Sequence, residues 1–93
     1  MIGVLADKDA AAIGAALAGV IDRWILCTLP GPRGTSAAEL AARLVPPASS
    51  IELAGSVTAG CELARAQAQS GDRVVVCGSV HTVGPALQWL RVY

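Results

Sequence analysis

Four short apolar runs, each followed by a stretch with helical periodicity, constrain the fold of this chain more than any other feature. The runs are nearly continuous in apolar residues, which is typical of strands buried on both faces. Repeated strand–helix alternation predicts an α/β, Rossmann-like fold: a mostly parallel sheet with helices on both faces. The predicted strands are 1–6, 24–29, 51–53 and 73–77, and the predicted helices are 9–20, 36–44, 56–69 and 82–90.

Length and charge narrow the possible partners. The 93 residues fit one small domain, which we place at 1–93. Seven basic and seven acidic side chains give a formal net charge of zero, so no overall positive field attracts nucleic acid or an anionic membrane. Charges interrupt every long apolar run, and none approaches the ~20 residues of a membrane span. We therefore predict neither a nucleic-acid partner nor a membrane partner.

The cysteines indicate the compartment. Cys27, Cys61 and Cys77 are odd in number, lie among apolar residues and lack C-x-x-C spacing. This pattern favours buried thiols in a reducing, cytoplasmic environment. One histidine and these scattered thiols, without C-x-x-C spacing, do not form a zinc-site pattern. The N-terminus shows no signal-peptide pattern. We predict a cytoplasmic protein without a metal site of its own.

Polar residues follow three of the predicted strands. The segment 74–84 passes from a buried strand through a sharp Gly-Ser turn into a helix, and basic residues follow the first and second strands. Because the carboxyl ends of parallel strands meet at one edge of a sheet, we expect these side chains to lie there together. Cations, hydroxyls, an imidazole and helix N-termini suit a carboxylate or a phosphate. The residues expected at this edge are Lys8, Arg33, Ser79, His81 and Thr82.

Purely structural interpretations of the same residues remain open. Lys8, between two aspartates, is also typical of a solvated helix start, and Ser79 of a turn or a helix cap. His81 also suits a half-buried imidazole bonded to the backbone. Arg33 lies in a Pro/Gly loop, which suits plain solvation or a mobile contact to another domain. None of them forms an acid–base arrangement on its own, so we predict no catalytic residue in this chain.

Three ordered motifs carry a resemblance to a known family. Gly3–Asp9 resembles a G-x-L-x-D-K-D motif, Leu29–Thr35 an L-x-G-P-R-G loop, and Gly78–Val83 a Gly-Ser-x-His/Tyr-Thr motif. All three belong to bacterial folylpolyglutamate synthase/dihydrofolate synthase, which is related to the Mur ligases. The chain resembles most of that family's C-terminal domain. It departs from the pattern at Val80, where relatives often carry Phe or Leu, which puts substrate preference in doubt.

The resemblance implies an ATP-dependent ligase. Such an enzyme phosphorylates the carboxylate of a dihydropteroate or folate polyglutamate, and the amine of L-glutamate attacks the acyl phosphate. ATP and Mg²⁺ would be bound mainly outside this chain, because no G-x-x-x-x-G-K-[ST] phosphate loop occurs in it. The glutamate-binding residues that the resemblance implies are Lys8, Ser79 and His81. Those implied at anionic groups or at a domain interface are Asp7, Arg33 and Thr82.

The resemblance also places a strand–helix unit with an Asp-x-Ala-His-Asn-Pro motif just before the first strand, and these 93 residues contain no match to it. We therefore expect the chain to act with the rest of the same enzyme, to be inactive alone, and to be prone to self-association through an unpaired sheet edge. The alternative is a free-standing α/β anion-binding or regulatory module that performs no chemistry. That alternative would explain the absent phosphate loop without invoking a larger enzyme.

Overall fold

The computed structural model describes residues 1–5, 9–17, 19–44 and 51–91. Helices and strands alternate along most of this part of the chain. Its elements are helix α1 (Ala10–Leu17), strand β1 (Trp24–Cys27), helix α2 (Ala37–Leu44), strand β2 (Ile51–Ala54), helix α3 (Val57–Gln67) and helix α4 (Val80–Trp89).

The sheet is parallel wherever its strands pair. Strands β1 and β2 run parallel, with Trp24 opposite Ile51. Ile2 forms one parallel bridge with Leu26 and another with Cys77. The extended segment 1–5 therefore lies between β1 and the segment 73–77, and the order across the sheet is 73–77, 1–5, β1, β2. These bridges confirm the predicted parallel arrangement of the first and last segments.

Helices cover both faces of this sheet. On one face, Ile2 and Leu26 pack with residues of α1 and α2, including the fully buried Leu40. On the other face, Met1 and Cys27 pack with residues of α3 and α4. Successive residues of an extended chain point to opposite sides, so each central segment contributes to both clusters. The predicted α/β class with helices on both faces is confirmed.

The outer segments are less regular than the sequence predicts. The segments predicted as strands 1–6 and 73–77 run alongside their neighbours but join the parallel sheet through single bridging residues, Ile2 and Cys77. Val74 and Val75 are half-exposed at the outer edge, where the segment 73–77 has one described neighbour. Helix α4 begins at Val80 and not at the predicted residue 82, because Ser79 caps it. Among the described residues, no helix is long and apolar enough to cross a membrane.

Candidate functional site

The four helices of the described residues begin at the carboxyl edge of the sheet, because each follows a strand or extended segment that runs in the same direction. Two of these N-termini carry an acid: Asp9 Oδ1 accepts a hydrogen bond from Ala12 N at 3.0 Å, and Glu39 lies in the first turn of α2. The first turns of α3 and α4 contain no acidic residue. A helix N-terminus bears a partial positive charge of about half an elementary charge, so the start of α4 can accept an anion from outside the chain.

The turn that leads into α4 requires glycine at its first position. Gly78 has a φ of 111°, a conformation that residues with a side chain rarely adopt. A Cβ atom at this position would also collide with the carbonyl oxygen of Gly3 and would lie 2.9 Å from Cγ1 of Ile2. The chain can therefore reverse close against the segment 1–5, which brings the start of α4 to the edge of the sheet.

Ser79 is the N-cap of α4. Its Oγ accepts a hydrogen bond from the His81 amide at 3.1 Å, and its carbonyl accepts from the amides of Thr82 and Val83 at 3.0 and 2.9 Å. A hydroxyl that accepts one hydrogen bond still has a proton to donate, and Ser79 is only half-buried. The cap and a ligand contact are therefore compatible in the same side chain. His81, two residues on, is exposed beside it.

Thr82 lies beneath this turn. Its side chain is fully buried, and its Oγ1 donates a hydrogen bond to the carbonyl oxygen of Gly3 at 2.7 Å. The resemblance implied a contact of Thr82 with anionic groups or with another domain. In the structure the hydroxyl faces the interior and joins the first turn of α4 to the segment 1–5.

The loop after β1 brings Arg33 to the same edge of the sheet. The loop is closed by hydrogen bonds from the Leu29 amide to the Thr35 carbonyl at 3.1 Å and from the Gly34 amide to the Gly31 carbonyl at 3.0 Å. Arg33 is exposed at its tip. The Thr35 hydroxyl is buried, and within the described residues it has no hydrogen-bond partner. The loop thus presents a cation outward and leaves a hydroxyl unpaired inside.

Two predicted site residues, Asp7 and Lys8, lie outside the described residues. The chain enters their segment at Leu5, which forms an antiparallel bridge with Gly34 in the Arg33 loop. It leaves at Asp9, just before α1. Both flanking residues belong to the carboxyl edge that carries Ser79 and Arg33. The structure thus brings Ser79 next to His81 and places Arg33 on a neighbouring loop.

Gly3 and Thr35 are closely packed at this edge, and the sequence analysis assigned a role to neither. A glycine inside an apolar strand pattern signals a close approach of another part of the chain, and Gly3 is such a residue. A Cβ atom there would lie 2.8 Å from Thr82 Oγ1 and 3.1 Å from Leu29 Cδ2. Thr35 carries no comparable signal, because a threonine in a Pro/Gly loop is usually exposed.

Comparison with known families decides the family of the chain. The model of the family described as Mur ligase, glutamate ligase domain, matches residues 1–80. The chain belongs to this family. The match includes the Arg33 loop and the Gly78–Ser79 turn, so both loops at the carboxyl edge are part of the family's domain.

Two curated relatives of this Mur ligase domain are dihydrofolate synthase/folylpolyglutamate synthases. The Escherichia coli protein is 40% identical over 88 residues, which are 95% of this chain and 20% of the relative. The Haemophilus influenzae protein is 40% identical over 83 residues, 87% of this chain and 19% of the relative. The chain thus spans about a fifth of the length of these relatives. A free-standing module without catalysis is not favoured by these matches.

Solved structures of such enzymes have the same fold. Escherichia coli FolC in complex with ADP superimposes with a TM-score of 0.83 at 37% identity, covering 97% of this chain and 21% of that chain. The bifunctional folylpolyglutamate synthase/dihydrofolate synthase of Yersinia pestis, complexed with AMPPNP and Mn ion, gives a TM-score of 0.81 at 39% identity over the same shares. In the described part of this chain, no group of three His, Cys, Asp or Glu side chains is placed to hold a metal ion.

Proposed function

We propose that this Mur ligase domain binds L-glutamate for a folylpolyglutamate/dihydrofolate synthase, an ATP-dependent ligase that joins glutamate to dihydropteroate or to folate polyglutamates. The observation that carries the proposal is the start of α4. Its first turn lacks an acid, its Ser79 cap has a proton to donate, and its His81 is exposed at the sheet edge. A helix N-terminus with such donors suits a carboxylate.

Each site residue has a distinct role in this proposal. Ser79 donates a hydrogen bond to a glutamate carboxylate, and Lys8, in the loop before α1, supplies a positive charge to it. His81 adds a further contact beside Ser79. Arg33 and Asp7 lie at anionic groups or at the interface to the rest of the enzyme. Holding glutamate in this way brings its amine within attack distance of the acyl phosphate, and such positioning lowers a barrier by several kcal/mol.

The remaining chemistry belongs to the rest of the enzyme. We assign ATP and Mg²⁺ mainly to parts of the ligase outside this chain, because the nucleotide-containing relatives are about five times longer. Acyl-phosphate formation requires a nucleotide cradle and metal ligands, so the 93 residues alone are inactive in this proposal. The three free cysteines agree with a reducing, cytoplasmic location. Val74 and Val75 are half-exposed at the outer edge of the sheet, formed by the segment 73–77, and this agrees with self-association of the isolated chain.

Steady-state kinetics test the glutamate assignment in a full-length ligase that carries this chain as its C-terminal domain, hereafter the test ligase. We expect Ser79→Ala and Lys8→Ala to raise the KM for glutamate about ten- to hundredfold, with a much smaller change in the KM for ATP. The physical reason is the loss of a charge-assisted hydrogen bond, worth roughly 1.5–3 kcal/mol. Each substrate is varied while the other is held saturating.

Ser56→Ala is the matched control for the capping role of Ser79. Ser56 caps α3, and its Oγ accepts from the Ala59 amide at 3.0 Å. Both alanine substitutions remove one N-cap, which costs about 1 kcal/mol of stability. Only Ser79→Ala is expected to raise the KM for glutamate. Equal KM values in the two variants, an effect of Ser79→Ala confined to ATP, or a test ligase without glutamate-dependent turnover would contradict the proposal.

A further inference from the structure

We infer that Thr82 is a positioning residue, which fixes the Ser79–His81 turn relative to the segment 1–5 without touching the substrate. The inference rests on the proposed function and concerns the same site. Its starting observation is the hydrogen bond from Thr82 Oγ1 to the Gly3 carbonyl at 2.7 Å, which joins two residues 79 positions apart in the sequence. Each of the two lies beside one of the polar segments assigned to glutamate.

The hydroxyl of Thr82 takes the place of a sheet hydrogen bond. The Cys77 amide donates to the Met1 carbonyl at 3.2 Å, as in a parallel ladder. If that ladder continued, the amide of residue 79 would donate to the Gly3 carbonyl. The chain instead turns away at Gly78, and the hydroxyl of Thr82 donates to Gly3 from the first turn of α4. A side chain of helix α4 therefore supplies the hydrogen bond that residue 79 would have donated to the Gly3 carbonyl in a continued ladder.

The contact of Thr82 and Gly78 with Gly3 leaves little space for movement. A Cβ atom at Gly3 would lie 2.8 Å from Thr82 Oγ1 and 3.2 Å from the Cys27 carbonyl oxygen, and one at Gly78 would collide with the Gly3 carbonyl. Thr82 itself is fully buried. The first turn of α4 and the end of the segment 1–5 are thus held at one separation by backbone contact and one buried hydrogen bond.

This separation sets the geometry of the proposed site. Ser79 and His81 belong to the turn, because the Ser79 Oγ accepts from the His81 amide and the Ser79 carbonyl accepts from the Thr82 amide. When Thr82 holds Gly3, the hydroxyl of Ser79 keeps a fixed position relative to the segment 1–5. Glutamate binding depends on that position, since Ser79 contacts the ligand in the proposed function.

Substitution of Thr82 in the test ligase separates positioning from mere stability. Thr82→Val keeps the shape and removes the donor, and we expect it to raise the KM for glutamate about tenfold while the KM for ATP stays within about twofold. A displacement of about 1 Å at a positioning group can cost up to about a hundredfold. Thr82→Ser keeps the donor and is expected to restore the glutamate KM to within about threefold of the parent.

Thr35→Val is the control for removal of a buried threonine hydroxyl. Thr35 is as buried as Thr82, but its hydroxyl has no hydrogen-bond partner in the described structure. We expect Thr35→Val to leave the glutamate KM unchanged and the thermal unfolding midpoint unchanged or higher, because no hydrogen bond is lost. Thr82→Val should lower the midpoint. In the double variant Ser79→Ala/Thr82→Val, the glutamate KM should rise little beyond that of Ser79→Ala, because both changes act through one contact.

Two different failures can be told apart. If Ser79→Ala raises the glutamate KM but Thr82→Val lowers only the unfolding midpoint, Thr82 is structural and the inference is overturned while the proposed function stands. If neither variant changes the glutamate KM, the proposed function fails.

If the test ligase carrying Thr82→Val does not fold, amide hydrogen exchange on the 93-residue chain decides between the outcomes. Faster exchange of the His81 amide in Thr82→Val, or in the weaker donor Thr82→Cys, supports the inference, and unchanged exchange overturns it.

Discussion

The two loops at the carboxyl edge, the Gly78–Thr82 turn and the Leu29–Thr35 loop, contain similar residues and are built differently. Each includes glycine, a threonine that is almost fully buried and a polar side chain at the surface. The hydroxyl of Thr82 donates to the Gly3 carbonyl at 2.7 Å, whereas that of Thr35 has no partner in the described residues. The turn is joined to the segment 1–5 by a buried side-chain hydrogen bond, whereas the loop is joined to it by the Leu5–Gly34 bridge and has hydrogen bonds within itself.

In the proposed function, this difference gives the two loops different roles. A turn fixed by a buried hydrogen bond and by backbone contact suits the orientation of a small ligand by Ser79 and His81. The Leu29–Thr35 loop carries Arg33 on an exposed tip with Pro and Gly neighbours, which suits an adaptable contact to another domain. Loops of similar composition thus differ in how they are held at the same edge.

One glycine from each loop gives the largest expected difference. Gly78 and Gly31 both have positive φ, 111° and 92°. A Cβ at Gly31 meets nothing within 4 Å, whereas one at Gly78 meets the Gly3 carbonyl. We expect Gly31→Ala to lower the free energy of unfolding by about 1–2 kcal/mol from backbone strain alone. Gly78→Ala adds overpacking of about 1–3 kcal/mol to a similar strain. Urea unfolding of the 93-residue chain measures both.

Equal losses of unfolding free energy in Gly78→Ala and Gly31→Ala would show that the Gly78–Thr82 turn adjusts to a side chain as readily as the Leu29–Thr35 loop. The contrast between a fixed and an adaptable element would then be wrong. A larger loss in Gly31→Ala than in Gly78→Ala would reverse it.

The cysteines that precede the two loops, Cys27 and Cys77, should differ in reactivity, and this is a smaller expected effect. Cys27 ends β1 and is fully buried, and burial raises the pKa of its thiol from 9.0 to about 11. Cys77 precedes Gly78 and is half-buried. Because thiolates are the reactive form, we expect iodoacetamide at about pH 8 to modify Cys77 well before Cys27. Mass spectrometry of peptides from partly modified protein checks the order, and equal rates would contradict it.

The raised pKa of Cys27 also predicts a pH dependence. The folded thiol holds its proton more tightly than the unfolded one, so its contribution to stability is complete below pH 9.0 and is lost as the pH rises through about 11. Unfolding curves over this range should show a steeper loss in the parent than in Cys27→Ala. Identical slopes would show that this thiol does not titrate with unfolding.

Much of this architecture could be predicted from the sequence, because the signals are local. Apolar runs followed by helical periodicity predicted the parallel sheet with helices on both faces, and a helix cap was one of the interpretations left open for Ser79. The predicted bounds of the strands and helices were less accurate. The predicted strand 73–77 forms one parallel bridge within the described residues, at Cys77, and the Val75 carbonyl accepts a hydrogen bond from the Met1 ammonium at 3.0 Å. An edge segment has one neighbour, and its exposed valines mimic a buried run.

The site could be predicted only in part, because its supports are not local. Hydroxyl and imidazole groups after a strand predicted Ser79 and His81 as site residues, and that assignment stays a prediction. Thr82 was expected at anionic groups or at a domain interface, and its hydroxyl faces inward to Gly3, 79 residues away in the sequence. A contact over that distance follows from the strand order, which the sequence pattern leaves open. The burial of Thr35 has the same origin, since its loop packs against Leu5 and its neighbours.

The location of bound L-glutamate in a crystal structure of the test ligase is the most direct test of the central claim. We predict that a carboxylate of glutamate lies within about 3.2 Å of Ser79 Oγ and near Lys8 Nζ, with the Thr82–Gly3 hydrogen bond intact beneath it. Arg33 then contacts another anionic group or another domain. Glutamate bound by the Leu29–Thr35 loop alone, or bound away from this edge of the sheet, would contradict the account.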